Sequence, residues 1–261
     1  MKNNNYAQVF AAIALLLFAG SSAAEVAYFQ YRVVPNDRDA EFVEKETKYW
    51  SKVAAAAIDQ GHMKGWSLWR KVGVTEEGAP NYVLINNYES LEKMDPSKVW
   101  SEENVKSMGM DSKKVETDSF TQVAFDYYLQ LESEILGDSK YVIVNYAKPE
   151  NRSDFIEENK ELWMPVLKKN IASGTGGMTG WGLMSVIYPT GKQGRFSSLT
   201  YDGFATLADA LAYSYDGGDS NNDGGMFADI LDKSKMDEIL PGGFEYRIIY
   251  ERVMSLTAKE D

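Results

Sequence analysis

A single histidine and the absence of cysteine restrict the chemistry open to this sequence. A histidine can act as a general base or ligate haem iron, so His62 is a weak candidate catalytic residue. No Gly-x-Ser-x-Gly sequence accompanies it, so a serine triad is not indicated. Thiol catalysis and zinc sites with several histidine or cysteine ligands are excluded. The interpretation that we favour is that His62 is a solvated residue in a polar junction.

The sharpest local motif has the spacing Asp-x-Asn-x-Asp-Gly, formed by Asp219, Asn221 and Asp223 with a following glycine. Carboxylate and amide oxygens at alternate positions suit a hard cation, and this spacing matches the first half of a calcium-binding loop. The twelfth loop position should be Glu, but it is Ile230. The motif therefore predicts a weak structural Ca²⁺ site, and the alternative is a flexible acidic loop made of ordinary turn residues. No other metal or cofactor is predicted.

Three tryptophans are candidate ligand-binding residues. Trp66 and Trp181 lie at the start of equivalent predicted strands and could line an aromatic pocket. Because the tryptophan occurs at the same position in both repeats, a role in core packing is favoured. Trp69 has Met184 as its counterpart, so it is not repeated. Side chains alternate along a strand, so Trp69 lies on the face opposite Trp66. Trp69 is therefore the better candidate for an asymmetric pocket.

Polar residues within apolar strands are a second source of candidates. Gln30, Asn86 and Asn87 lie in strands of the first half, and Arg247 and Glu251 lie in the last strand. Unpaired polar groups are unfavourable inside a sheet, so these residues mark either a polar lumen where two sheets meet or a solvated edge. Gln30 and Asn86 are predicted ligand-binding residues, and Asn86 is also a weak catalytic candidate.

The elements that must position these residues form an internal repeat. The segment Glu41–Trp69 resembles the segment Asp154–Met184, and four of the six tryptophans fall in matched pairs. Because tryptophan is rare, chance agreement is improbable. The matched pairs are Phe42 and Phe155, Glu44 and Glu157, Trp50 and Trp163, Val53 and Val166, Met63 and Met178, Gly65 and Gly180, and Trp66 and Trp181.

Each half has the same predicted order of elements. A strand rich in aromatic and β-branched residues is followed by a Pro and polar cluster, a long amphipathic helix, a hairpin, a more irregular helical stretch and a last strand. The order β-α-β-β-α-β is that of a ferredoxin-like unit. The sequence therefore predicts an α+β protein of two tandem ferredoxin-like repeats, covering residues 25–137 and 138–261.

A tandem pair of such units resembles the dimeric α/β-barrel superfamily. The features shared are a long first helix in each unit and a Gly-Trp entering the second strand, here Gly65-Trp66 and Gly180-Trp181. The resemblance covers most of residues 25–255 and implies that the two units join their sheets face to face as an intrachain pseudo-dimer. The superfamily includes cofactor-free monooxygenases, haem enzymes and enzymes that decompose small molecules, and the fold alone does not select among them.

The first 24 residues have the pattern of a secretory signal peptide. Lys2 precedes a continuous apolar run from Val9 to Ala19, and small residues follow up to Ala24, where cleavage is predicted. The run is shorter than the ~20 residues needed to span a bilayer. The sequence thus predicts a periplasmic or secreted protein with no membrane association after cleavage.

The formal net charge of −12 argues against nucleic-acid and anionic membrane partners. The sequence also lacks nucleotide-binding glycine motifs, since the glycines at 174–177 follow a helix rather than open one. The leading hypothesis is a binding protein, monomeric or weakly self-associating, for a small and partly apolar ligand held between sheets and helices. The alternatives are a cofactor-free monooxygenase-like enzyme and a non-catalytic interaction or scaffold protein.

Overall fold

Eight antiparallel strands form a closed barrel in the computed structural model, which describes residues 25–216 and 225–258. Around the barrel their order is β1-β3-β2-β8-β5-β7-β6-β4. The strands are β1 (Val26–Val33), β2 (Gly65–Lys71), β3 (Tyr82–Tyr88), β4 (Gln122–Ile135), β5 (Tyr141–Ala147), β6 (Met178–Tyr188), β7 (Ser198–Phe204) and β8 (Tyr246–Thr257).

The barrel consists of two four-stranded sheets, one from each repeat, joined at their edges. The last strand of each repeat pairs with the second strand of the other: Trp66 of β2 faces Leu256 of β8, and Val186 of β6 faces Leu129 of β4. The prediction of two ferredoxin-like halves in one α+β chain is confirmed. Since the free edges of both sheets are hydrogen-bonded, closure removes the exposed edges that would otherwise favour aggregation.

A long helix covers the outside of each half. Each contains a π-helical turn at the same place, and each turn ends at one of the paired residues Trp50 and Trp163. Asn151 caps the second helix, because its side chain accepts a hydrogen bond from the Ser153 amide at 3.0 Å. The segments are Asp39–Lys45, Glu46–Trp50 and Ser51–Asp59 in the first half, and Arg152–Glu158, Asn159–Trp163 and Met164–Ser173 in the second.

The second helical position differs between the halves. In the first half three short helices replace one long helix, and the side chains of Asp95, Ser101 and Asp111 cap them. The second half has a longer helix followed by two short ones. The helices are Pro96–Val99, Glu102–Lys106 and Ser112–Val115, then Leu207–Asp216, Ala228–Leu231 and Met236–Ile239. In the part of the chain that the structure describes, no helix is both long and apolar enough to cross a membrane.

Alternation along the strands gives the protein three apolar layers. Residues such as Phe42 and Trp66 fill the space between the first sheet and its helices, and Phe155 and Trp181 fill the same space in the second half. Side chains on the opposite strand faces fill the barrel. Because an indole at a helix–sheet contact buries a large apolar area, these two outer layers hold the long helices on the barrel.

Candidate functional site

A cavity of about 260 Å³ lies inside the barrel and is lined by both halves. Its deep end is formed by buried side chains such as Val83, Leu199 and Tyr250, whereas Glu134 lies at its mouth. The mouth lies where β1, β2 and β5 begin and where β4 ends. A concave site with mainly apolar walls and a few polar groups is typical of small-molecule binding sites.

The walls of the cavity are aromatic and aliphatic. Trp69 lies in the wall, and its indole N–H donates to the Ser67 hydroxyl at 2.8 Å, so its one polar atom is satisfied. The other apolar wall residues are Val26, Ala27, Phe29, Val83, Ile85, Leu131, Val142, Val144, Met184 and Leu199.

A chain of tyrosine hydroxyls lies at the floor of the cavity. The Tyr31 hydroxyl donates to that of Tyr146 at 3.2 Å, and the hydroxyls of Tyr146 and Tyr250 lie 3.1 Å apart. Burial raises the pKa of all three phenols well above the usual value. They therefore remain protonated at physiological pH and act as neutral hydrogen-bonding groups.

The mouth carries charged groups, most of which are paired. Glu25 forms an ion pair with Lys64, and Arg252 forms one with Asp138 at 2.6 Å. Glu134 lies 3.5 Å from the Tyr201 hydroxyl. Partial burial, together with the negative charge of Glu25, raises the pKa of Glu134 above the usual value for a carboxyl group. Among these groups, Glu134 is thus the one best suited to accept a proton.

The sequence-predicted candidates do not converge on this cavity. Trp69 lines it, but Trp66 and Trp181 lie on the outer face of the sheets, buried beneath the helices. His62 lies partly buried just after the first long helix, where its backbone N–H donates to the Ala57 carbonyl at 2.9 Å. It lies outside the residues that line the cavity, and so does Asn86.

Gln30 and Asn86 lie on the outer face of the first sheet. Gln30 accepts a hydrogen bond from Arg32 at 2.6 Å and donates to Tyr28 at 3.3 Å. Asn86 pairs in register with Trp66; the Oδ1 atom of Asn86 and the Nε1 atom of Trp66 are both buried without a hydrogen-bond partner in the described residues. Asn87, the next residue along β3, reaches the mouth of the cavity instead.

The last strand shows the same division. Arg247 donates to the Asn145 side chain at 2.9 Å, and Arg70 donates to Glu251 at 3.0 Å, so both predicted polar residues bond outside the lumen. Asp219, Asn221 and Asp223 lie outside the described residues, as do the 24 residues of the predicted signal peptide. Within residues 25–216 and 225–258, no group of three His, Asp or Glu side chains is placed to hold a metal ion.

Two buried carboxyl groups lie outside the cavity and were not predicted. Burial raises the pKa of Glu46 to about 7, although Arg32 and a 3.1 Å hydrogen bond from Thr117 oppose the shift. Burial likewise raises the pKa of Asp202 to about 6, against a 2.7 Å hydrogen bond from Asn145. The sequence contains one signal for Glu46, which occupies a position on the apolar stripe of its helix.

Comparison of the sequence with protein-family models and with curated proteins gives no match. Solved structures share the fold at low identity. An anthrone oxidase-like protein superposes with a TM-score of 0.53 and 12% identity, over 92% of this chain and 95% of that one. A candidate monooxygenase from Lactobacillus acidophilus NCFM superposes with a TM-score of 0.50 and 10% identity, over 90% of this chain and 97% of that one.

A candidate chlorite dismutase superposes with a TM-score of 0.50 and 8% identity, over 89% of this chain and 96% of that one. At such identities the likeness concerns the fold alone, and a shared fold does not establish a shared activity. The chain has the dimeric α/β-barrel fold, with both ferredoxin-like halves in one polypeptide.

Proposed function

We propose that the protein binds a small, mainly apolar molecule inside the barrel. The observation that carries the proposal is the cavity of about 260 Å³, whose walls are apolar and whose polar groups lie at the floor and the mouth. The binding site expected from the sequence lay between sheets and helices; this proposal moves it into the lumen. A formed cavity also favours ligand binding over a scaffold role without a small ligand.

The size of the cavity sets the size of the ligand. An engineered apolar protein cavity of about 150 Å³ accommodates benzene. A cavity of about 260 Å³ therefore has room for two fused rings. Burying such a molecule gains about 25 cal/mol for each Å² of apolar surface, which is the main expected source of affinity.

Titration with tetralin, a fused two-ring hydrocarbon, tests the proposal. We expect saturable binding by calorimetry, together with a change in the tryptophan fluorescence contributed by Trp69. Native mass spectrometry of the purified protein would reveal any ligand retained from the cell. Absence of binding by wild-type protein up to the solubility of tetralin would contradict the proposal.

A variant that fills the cavity makes the test specific. Val144 of β5 lines the cavity and corresponds to Phe29 of β1 in the other half. Val144 pairs with Tyr201 of β7, and Phe29 pairs with Ile85 of β3, at equivalent positions of the two sheets. Val144→Phe thus copies a side chain that the other half already accommodates. We expect at least about 10-fold weaker tetralin binding, equivalent to a loss of about 1.4 kcal/mol. The control is Val74→Phe, at a position 94% exposed to solvent, which should bind as wild type does.

A second proposal is a cofactor-free oxygenase activity in the same lumen. Glu134, with its raised pKa at the mouth, could remove a proton from a bound substrate, which would then react with dioxygen. The test substrate is 1-naphthol, the two-ring counterpart of the enol of anthrone, because one of the similar structures is anthrone oxidase-like and the lumen has room for two fused rings. Oxidation would consume one O₂ per 1-naphthol and release 1,4-naphthoquinone and water. We expect Glu134→Gln to lose the activity while still binding tetralin; oxygen uptake no faster than the uncatalysed blank would refute this proposal.

We also propose that the protein is exported and works as a monomer or weak oligomer without nucleic-acid or membrane partners. The support is the pattern of residues 1–24 and the acidic charge. Intact mass measurement of the protein from the exported fraction should give a chain beginning at Glu25. A chain retaining residues 1–24 would contradict signal cleavage.

A further inference from the structure

The three tyrosine hydroxyls at the floor of the lumen carry more protons than their hydrogen bonds use. Each phenol has one donor proton. Tyr31 donates to Tyr146, and one further hydrogen bond joins Tyr146 and Tyr250. Within residues 25–216 and 225–258 these hydroxyls form no other hydrogen bond, so three protons serve two bonds.

The remaining proton belongs to a tyrosine that lines the cavity, whichever way the second hydrogen bond runs. If Tyr146 donates to Tyr250, the unused proton is on Tyr250; if Tyr250 donates, it is on Tyr146. Both residues line the cavity, and each is only 4% exposed. A buried donor without an acceptor is unfavourable, so a ligand that supplies an acceptor here gains a hydrogen bond that a hydrocarbon cannot form.

We propose that this hydroxyl pair binds a carbonyl oxygen, and that the lumen therefore selects apolar, uncharged carbonyl compounds. The inference rests on the proposed function of the lumen. An uncharged ligand is favoured because Arg252, the one cationic side chain lining the cavity in the described residues, is at the mouth and paired with Asp138. A carboxylate at the floor would lose its hydration without gaining an opposite charge.

The experiment compares two probes of nearly equal shape, tetralin and α-tetralone, which differ by one carbonyl group. The test variant is Tyr146→Phe/Tyr250→Phe, which removes both hydroxyls at the cavity floor and keeps the rings. The control is Tyr31→Phe, which removes a hydroxyl of the same chain but leaves an unused proton on Tyr146 or Tyr250. Calorimetry gives both dissociation constants in each protein, and circular dichroism checks the fold.

The quantity measured is the dissociation constant of tetralin divided by that of α-tetralone. We expect this ratio to fall about 3- to 10-fold in the double variant, the loss expected for one net hydrogen bond. In Tyr31→Phe it should stay within about twofold of wild type. Because each ratio compares two probes on one protein, general changes in cavity shape cancel to first order.

The outcomes separate the two proposals. If tetralin binds but the ratio is the same in all three proteins, the carbonyl inference is wrong and lumen binding stands. If wild type binds neither probe, both are wrong. Should the double variant not fold, infrared spectroscopy of α-tetralone on wild type decides: a carbonyl stretch at lower wavenumber than in toluene supports the hydrogen bond, and an unshifted band overturns it.

Discussion

The buried carboxyl group of Glu46 makes the stability of the protein dependent on pH. Glu46 is 4% exposed and lies in the π-helical turn of the first long helix. Its pKa rises from 4.5 to about 7 on folding, chiefly because burial disfavours the charged form. A carboxyl group with a raised pKa binds its proton more tightly in the folded state. Its stabilising contribution is therefore complete below the unfolded pKa and is lost as the pH rises through the folded pKa.

The size of the effect follows from the shift. One pKa unit corresponds to about 1.36 kcal/mol, so a rise from 4.5 to about 7 corresponds to about 3 kcal/mol. Glutamine at this position stays neutral and can still accept the hydrogen bond from Thr117. We therefore expect Glu46→Gln to match wild type near pH 4 and to be more stable by about 3 kcal/mol near pH 8.

Urea denaturation of both proteins across this range measures the difference. Other titrating groups, Asp202 among them, are common to both proteins and cancel in the comparison. The nearest charges, Arg32 and Asp118, also stay in place. A difference between the two proteins that does not change between pH 4 and pH 8 would refute the claim that Glu46 is protonated by burial.

Three other predictions follow from particular residues. Wild type should lose about 3 kcal/mol of unfolding free energy as the pH rises from 3.8 to about 6, the folded pKa of Asp202, and Asp202→Asn should not show this loss. Urea denaturation measures it, and the same pH dependence of the unfolding free energy in both proteins would count against the prediction. Gly182→Ala places a Cβ 2.1 Å from the Tyr201 ring, so we expect about 1–3 kcal/mol of destabilisation and weaker tetralin binding. The control is Gly242→Ala, whose added Cβ would have no atom within 4 Å, and it should not change stability. Equal destabilisation by the two substitutions would contradict the steric argument. If the Asp219 loop binds Ca²⁺, native mass spectrometry should show a calcium-sized increment that chelator or Asp219→Asn removes.

The repeat and the order of its elements were predictable because they depend on local patterns. Paired tryptophans marked the duplication, and β-branched and aromatic runs marked the strands. The strand positions of Trp66 and Trp69 also indicated that their side chains lie on opposite faces. Strand alternation does not show which face becomes the lumen, so the sequence alone does not distinguish Asn87, which lines the cavity, from Asn86, which does not.

The tyrosine chain could not be predicted because it depends on long-range pairing. Tyr31 and Tyr146 are 115 positions apart in sequence, and Tyr146 and Tyr250 are 104 apart. Only closure of the barrel brings the three hydroxyls to one point. Similarly, the mouth forms from strand ends in both halves, so no single sequence segment contains the pattern of Glu25, Glu134 and Arg252.

The exchange of edge strands between the repeats has a consequence for how the chain folds. Gly65 pairs with Thr257, so one seam of the barrel cannot form until the C-terminal strand has been synthesised. Bringing Gly65 and Thr257 together closes a long loop, and this costs conformational entropy before the stabilising contacts between the strands form. Folding is therefore slow. Meanwhile the first repeat exposes two unpaired strand edges and an apolar sheet face. Neither repeat is therefore expected to be stable when expressed alone.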